Sequence, residues 1–304
     1  MKKTGLFAFG ALCLLTTACN PSDGETTTYN TFNTINHITD LSTGEVTTTN
    51  GDYKFFYNFT NQNGYVSTEN LVFDNATYSF RTDEATFLNY YFNSGGQISE
   101  FNNLQGLVSM GGMSLPLKNA SIGWTTMFYW YTEVSVPGIN GVTSPQPYVT
   151  AYYEIGSEYA VRTFARDSYF MGTTQTSYVM GDAPKTYTNE DMIYRFVMDL
   201  KNNTADMVIY KARFAEEMPM SITAIVIKGL TLTFTPSGYT ITGEKIIPSM
   251  LEGGQLVEMP AYIFDSVNLV TTNNEITHIK LDYNVAGRYQ GVFTGSAVYD
   301  IKAQ

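Results

Sequence analysis

From Leu230 to Thr242 the chain alternates apolar and polar residues, and a period of two makes that stretch a half-buried antiparallel strand pair. Leu230, Leu232 and Phe234 share one face, with Thr231, Thr233 and Thr235 on the other. Pro236-Ser237-Gly238 supplies the turn, proline through its fixed φ and glycine by tolerating positive φ. The return strand from Tyr239 then sets Ile241 with the apolar residues and Thr240 and Thr242 outside. No catalytic side chain sits on this hairpin, and the rest of the chain likewise says more about architecture than about chemistry.

Lys2 and Lys3 precede an apolar run from Leu6 to Leu15, shorter than the ~20 residues a membrane helix needs, so residues 1–18 read as a signal peptide. The run ends Leu15-Thr16-Thr17-Ala18-Cys19, which resembles the lipobox of bacterial lipoproteins, with Thr16 where Leu or Val is usual. That resemblance implies a lipidated Cys19 at the head of the mature chain and the outer membrane as a partner through the anchor. An ordinary secretory signal is the alternative. Cys13 falls within the signal, which leaves Cys19 as the one mature thiol and excludes an internal disulfide or a cysteine-based metal site. The polar, acidic stretch Asn20 to Glu25 resembles the export tag of surface-displayed Bacteroidota lipoproteins. The expected location is therefore the outer membrane, lipid-anchored and cell-surface exposed, with a periplasm-facing anchor as the alternative.

The net charge is −11 and no basic run offsets it, so nucleic acid is excluded as a partner. Tyr, Phe and Thr dominate over long charged runs and favour strands. Helix is confined to two short candidates, Pro248 to Gln255, cut by Gly253-Gly254, and Thr82 to Tyr91. The expected class is all-β, two tandem antiparallel β domains, each either a calycin- or lipocalin-type barrel or a β-sandwich. The expected bounds are a tether over 19–35, a first domain over 36–171, a linker over 172–191 punctuated by Gly181-Asp182-Ala183-Pro184-Lys185, and a second domain over 192–304.

An internal duplication is the third expectation. Tyr53 to Phe73 aligns without gaps on Tyr194 to Phe214, about 141 positions downstream, matching Tyr53 to Tyr194, Phe55 to Phe196, Asn61 to Asn202 and Phe73 to Phe214. Tyr148 to Phe170 corresponds likewise to Ile276 to Tyr299, each a strand pair that closes its own unit. Lys211 to Met220 with its Met218-Pro219 turn, followed by an apolar strand and Lys228-Gly229-Leu230, resembles the calycin-like β-barrel domains of Bacteroidota lipoproteins over Tyr194 to Pro248. The resemblance implies a barrel and a hydrophobic ligand and transfers no functional residue; the first half lacks the Met-Pro turn.

Both tryptophans lie in Trp124-Thr125-Thr126-Met127-Phe128-Tyr129-Trp130-Tyr131. As a strand this puts Trp124, Phe128 and Trp130 on one face and Tyr129 and Tyr131 on the other, a platform for a sugar ring or flat apolar ligand. The competing reading is a central strand covered on both sides. Tyr148, Tyr152, Tyr153 and Tyr159, after the Gly- and Pro-containing segment from Pro137 to Pro147, extend the tyrosine-rich region. The ligand-binding set is thus Trp124, Phe128, Trp130, Tyr131, Tyr148 and Tyr152.

Asp83-Glu84, Glu190-Asp191 and Glu216-Glu217 lack calcium-loop spacing, and neighbours on a strand point to opposite faces, so they read as solvated charge. His37 and His278, the only histidines, signal no zinc site, and no Gly-x-Ser-x-Gly elbow accompanies them. Asp265-Ser266-Val267 resembles the O-glycosylation motif of exported Bacteroidota proteins. The expectation is a non-enzymatic surface binding protein for a hydrophobic or glycan ligand, without metal or cofactor. The alternative is a structural or adhesin-type protein acting through sheet edges.

Overall fold

The computed structural model describes residues 27–30, 34–58, 60–91, 97–126, 136–139, 148–272 and 275–298. In the first half, twelve strands make one sheet: β1 (Thr27–Asn30), β2 (Thr34–Asp40), β3 (Val46–Gly51), β4 (Lys54–Asn58), β5 (Asn63–Phe73), β6 (Ala76–Thr82), β7 (Ala85–Tyr91), β8 (Gln97–Leu104), β9 (Gly106–Met110), β10 (Met113–Thr126), β11 (Tyr148–Ile155) and β12 (Tyr159–Ala165). Several are halves of one stave. β1 and β2 lie in register along β4 and β3, β6 and β7 both pair with β5, and β9 and β8 both pair with β10. Counted that way, eight staves follow one another in chain order and close, because β12 returns to β2 with Val161 opposite Ile38 and Thr163 opposite Asn36. It is an up-and-down antiparallel barrel.

The second half repeats the plan with β13 (Asp167–Met180), β14 (Ala183–Asn189), β15 (Ile193–Asp199), β16 (Thr204–Ala212), β17 (Ile222–Thr235), β18 (Gly238–Ile246), β19 (Ser249–Glu252), β20 (Gln255–Glu258), β21 (Phe264–Thr272), β22 (Glu275–Val285) and β23 (Tyr289–Ala297). β14 and β15 form one stave beside β13, β16 pairs with β17, and β23 closes on β13. The hairpin β19–β20 hangs from β17 outside the eight-stave ring.

Three expected boundaries are corrected by these ladders. The stretch 172–191 is no linker: Gly172 to Ser177 pairs with β23, and β13 and β14 form a hairpin. Thr27 to Asn30 and Thr34 onward are ladder strands, so the tether cannot extend to residue 35. A single residue, Arg166, separates β12 from β13. It is held from both sides, donating from Nη2 to Asn50 Oδ1 in the first barrel and accepting the Met198 amide at 3.0 Å in the second. Both helix candidates are strands instead: Pro248 to Gln255 falls on the β19–β20 hairpin, which turns at Gly253-Gly254 with φ +57° and +81°, and Thr82 to Tyr91 runs into β7.

The barrels match in their interiors. Tyr53 and Tyr153 meet hydroxyl to hydroxyl at 2.9 Å on staves two and seven of the first, and Tyr194 and Tyr283 meet at 3.2 Å on staves two and seven of the second. A residue of stave one joins each pair, Asn36 at 2.7 Å from Tyr53 and Thr174 at 3.1 Å from Tyr194. Burial pushes the acidity constants of all four phenols upward, so they remain neutral hydrogen-bonding groups. The hairpins expected to correspond, β4–β5 with β15–β16 and β11–β12 with β22–β23, occupy equivalent positions in the two rings.

The Leu230–Thr242 hairpin is where the barrels meet. Leu230, Leu232, Tyr239 and Ile241 are buried, and its turn is Pro236-Ser237, with Gly238 already paired to Thr235. Gly238 holds φ +147°, where a Cβ would strike Thr271 Oγ1 at 2.1 Å, so only glycine fits. Against this hairpin the first barrel sets Phe164, stacked on Tyr239 at 5.2 Å, and His37, whose Nε2 donates to the Thr235 carbonyl at 2.6 Å.

Candidate functional site

The expected aromatic platform divides. Trp124, 2% exposed, is the hub of the first barrel's core, with Phe55, Tyr57, Phe87 and Phe101 at 4.7 to 5.7 Å between ring centroids. Its register partner Val149 is also buried, whereas Tyr148 and Tyr152 alternate to the opposite, outer face of β11. The structure therefore does not bring Trp124 together with the two tyrosines. Tyr152 donates to Glu154 Oε1 at 2.7 Å with Arg162 over its ring at 5.1 Å, and Tyr148 packs toward the second barrel's apolar cluster. Phe128, Trp130, Tyr131 and Cys19 lie outside the described residues.

Aromatic and aliphatic side chains fill both described interiors. Phe55, Val66, Phe87, Phe101 and Tyr153 are wholly buried in one barrel, as are Phe196, Ile209, Leu269, Leu281 and Phe293 in the other. Barrels of eight staves are just wide enough to be plugged this way.

A groove lies on the outside of the first barrel, across β4, β5, β6 and β9. Because strand neighbours alternate, the run Phe55-Phe56-Tyr57 sends Phe55 and Tyr57 inward and leaves Phe56 outside. Phe56 lies opposite Tyr65 in the β4–β5 ladder, and their rings stack at 4.4 Å with a 16° tilt. Arg81 covers the ring of Tyr65, its Cζ 3.9 Å from the centroid. The row continues to Leu107, the register partner of Arg81, which is 58% exposed. Beside it Ser67, nearly buried, and the opposed pair Ser79 and Ser109 give a floor of short hydroxyl side chains. The groove has a volume of about 500 Å³.

Its charges are few. Glu69 is the one acid along the groove and is paired with Lys54 at 3.1 Å, so Arg81 supplies a guanidinium whose contact within the barrel is the face of Tyr65. Sequence reasoning passed over all of these residues. The available signal was the three consecutive aromatics at 55 to 57, since a strand cannot bury three in a row on one face.

The other singled-out groups are placed elsewhere. Asp83-Glu84 sits at the break between β6 and β7 and Glu190-Asp191 at that between β14 and β15. Glu217 is held by Lys185 and by Tyr178 at 2.7 Å, which depress its carboxyl to about 2. Ser266 is exposed on β21. His278 pairs with Glu275 at 2.9 Å, and His37 with the Thr235 carbonyl. Among the described residues no three of His, Cys, Asp and Glu gather as metal ligands.

No family model and no curated protein matches the chain. Among solved structures it is similar to a double mutant of transferrin-binding protein B, a vaccine antigen from Haemophilus parasuis Hp5. The identity is 7%, over 90% of this chain and 76% of that one, with a TM-score of 0.26. The fold assignment rests on the ladders above.

Proposed function

We propose that this protein is a lipid-anchored cell-envelope protein that binds a saccharide, without catalysis, in the outer groove of its first barrel. The observation that carries the reading is Tyr65 held between Phe56 and Arg81 beside a floor of serine hydroxyls. The half-exposed edges of the Phe56–Tyr65 stack and the exposed Leu107 offer an apolar surface beside the groove, while serine hydroxyls and the Arg81 guanidinium meet the oxygens of a sugar. The described inward side chains of both barrels are buried against one another, which favours an outer groove over an interior site. The lipobox-like stretch ending at Cys19 supports attachment to the outer membrane, with no helix among the described residues long and apolar enough to cross a bilayer.

The adhesin-type alternative needs a long open edge. Among the described residues, the strands laddered on one side only, β1, β3, β14 and β20, run four to seven residues, and β14 carries Pro184 and Lys185. Short edges with Pro and Lys resist pairing with another chain.

The test is a binding titration of the chain from Asn20 onward against a panel of neutral and acidic oligosaccharides and fatty acids. Saturable saccharide binding, weakened tenfold or more by Tyr65→Ala at unchanged thermal midpoint, is expected. Fatty-acid binding alone, or saccharide binding indifferent to Tyr65→Ala, would contradict the reading.

A further inference from the structure

Resting on that reading, we infer that the groove selects an acidic saccharide, with the carboxylate of a uronic-acid unit seated on Arg81. The chain carries 28 acidic against 17 basic residues, so most surface cations have acids to answer. The groove lining carries one charge of each sign, Glu69 and Arg81. Lys54 takes up Glu69 at 3.1 Å, and the remaining charge is the Arg81 guanidinium.

This guanidinium is also held in place. Tyr65 lies under it at 3.9 Å and Phe56 backs Tyr65 at 4.4 Å, so the guanidinium is held over the ring by the cation–π contact with its N–H groups available to a ligand. A carboxylate accepts two parallel N–H bonds from those groups in a geometry that a neutral hydroxyl cannot copy. Preorganisation removes part of the entropic cost of fixing a long side chain on binding. Ser79 and Ser109, paired across β6 and β9 beside Arg81, are placed to bond the ring hydroxyls of the same sugar. Leu107, next to Arg81 in the ladder, supplies an apolar contact at the rim. An acidic peptide offers the guanidinium the same carboxylate but one backbone N–H and one C=O per residue to the serines, whereas a uronic-acid unit carries several ring hydroxyls beside its carboxylate.

The experiment titrates the chain from Asn20 onward with an oligogalacturonate and with its methyl ester, for wild type, Arg81→Gln and Tyr65→Ala. The expected result is that esterification and Arg81→Gln each weaken binding tenfold or more. Arg81→Gln is then equally weak for acid and ester, and binding of the acid falls with added salt. The esterification arm needs no variant, so it stands even if Arg81→Gln folds poorly. Equal affinity for acid and ester, abolished by Tyr65→Ala, would overturn the acidic specificity and leave the groove reading intact. Binding indifferent to both substitutions would overturn both. Failure of any oligogalacturonate to bind, or equal competition by polyglutamate, would overturn the acidic-sugar assignment.

Discussion

The same patch of outer surface, over staves three and four, is covered in the second barrel and, among the described residues, uncovered in the first. In the second, Val208 and Tyr210 of β16 and Ala224 and Val226 of β17 face outward yet are buried. Leu251 and Leu256 of the β19–β20 hairpin pack against the same cluster, as do Val136 and Ile139, and Lys228 of β17 holds the Gly138 carbonyl at 2.8 Å. In the first, the alignment of Tyr53 to Phe73 on Tyr194 to Phe214 puts Ser67 and Glu69 at Val208 and Tyr210, Ser67 pairs with Arg81 as Val208 does with Val226, and among the described residues no hairpin lies over them. Two barrels of one plan therefore diverge where function is expected: one spends the face on its own packing and the other leaves it to a ligand.

If the interiors are equivalent filled cores and only the outer faces differ, deleting the hub of the first core should be costly without touching the second. Trp124→Ala is expected to cost about 3–5 kcal/mol, the range for removing a large buried aromatic. In calorimetry the first barrel's transition moves down sharply, while that of the second shifts far less. A single transition dropping as a whole would show that the barrels fold as one unit and would weaken the comparison.

Much of this architecture is legible from the residues. Alternation at Leu230–Thr242 gives a hairpin, and the Tyr53/Tyr194 alignment locates equivalent staves because inward tyrosines need equivalent partners. The continuous apolar runs Met207 to Tyr210 and Ala224 to Ile227 mark strands buried on both faces. What is not legible is the stretch 172–191: Gly181 and Pro184 look like punctuation, but the ladder to β23 that incorporates the segment joins residues more than a hundred positions apart. The groove is hidden for the same reason. Phe56, Tyr65, Arg81 and Leu107 come from four strands, and nothing local in the sequence places them in one row.

A third kind of outer face, on stave one of the first barrel, is covered by the other barrel through His37. Burial holds its imidazole below the usual histidine range, with the positive charge of Arg162 adding to the effect. The Thr235 carbonyl opposes both, and Nδ1 has no hydrogen-bond partner among the described residues. The unfolded chain takes up a proton near pH 6.5, the folded chain only at lower pH. Stability from this group is thus complete above about pH 6.5 and is lost as pH falls toward the folded value. Between pH 7.5 and 5.5 the urea midpoint of wild type should fall further than that of His37→Gln, and identical pH dependence would mean that the imidazole does not close the junction.

The most direct measurement is hydrogen–deuterium exchange on the chain with and without a bound acidic oligosaccharide. Ligand-induced protection confined to β4, β5, β6 and β9 is the predicted footprint. Protection centred on β11 around Tyr148 and Tyr152, or on the second barrel, with the β4–β6 peptides unchanged, would contradict the claim that the open face of the first barrel is the binding site.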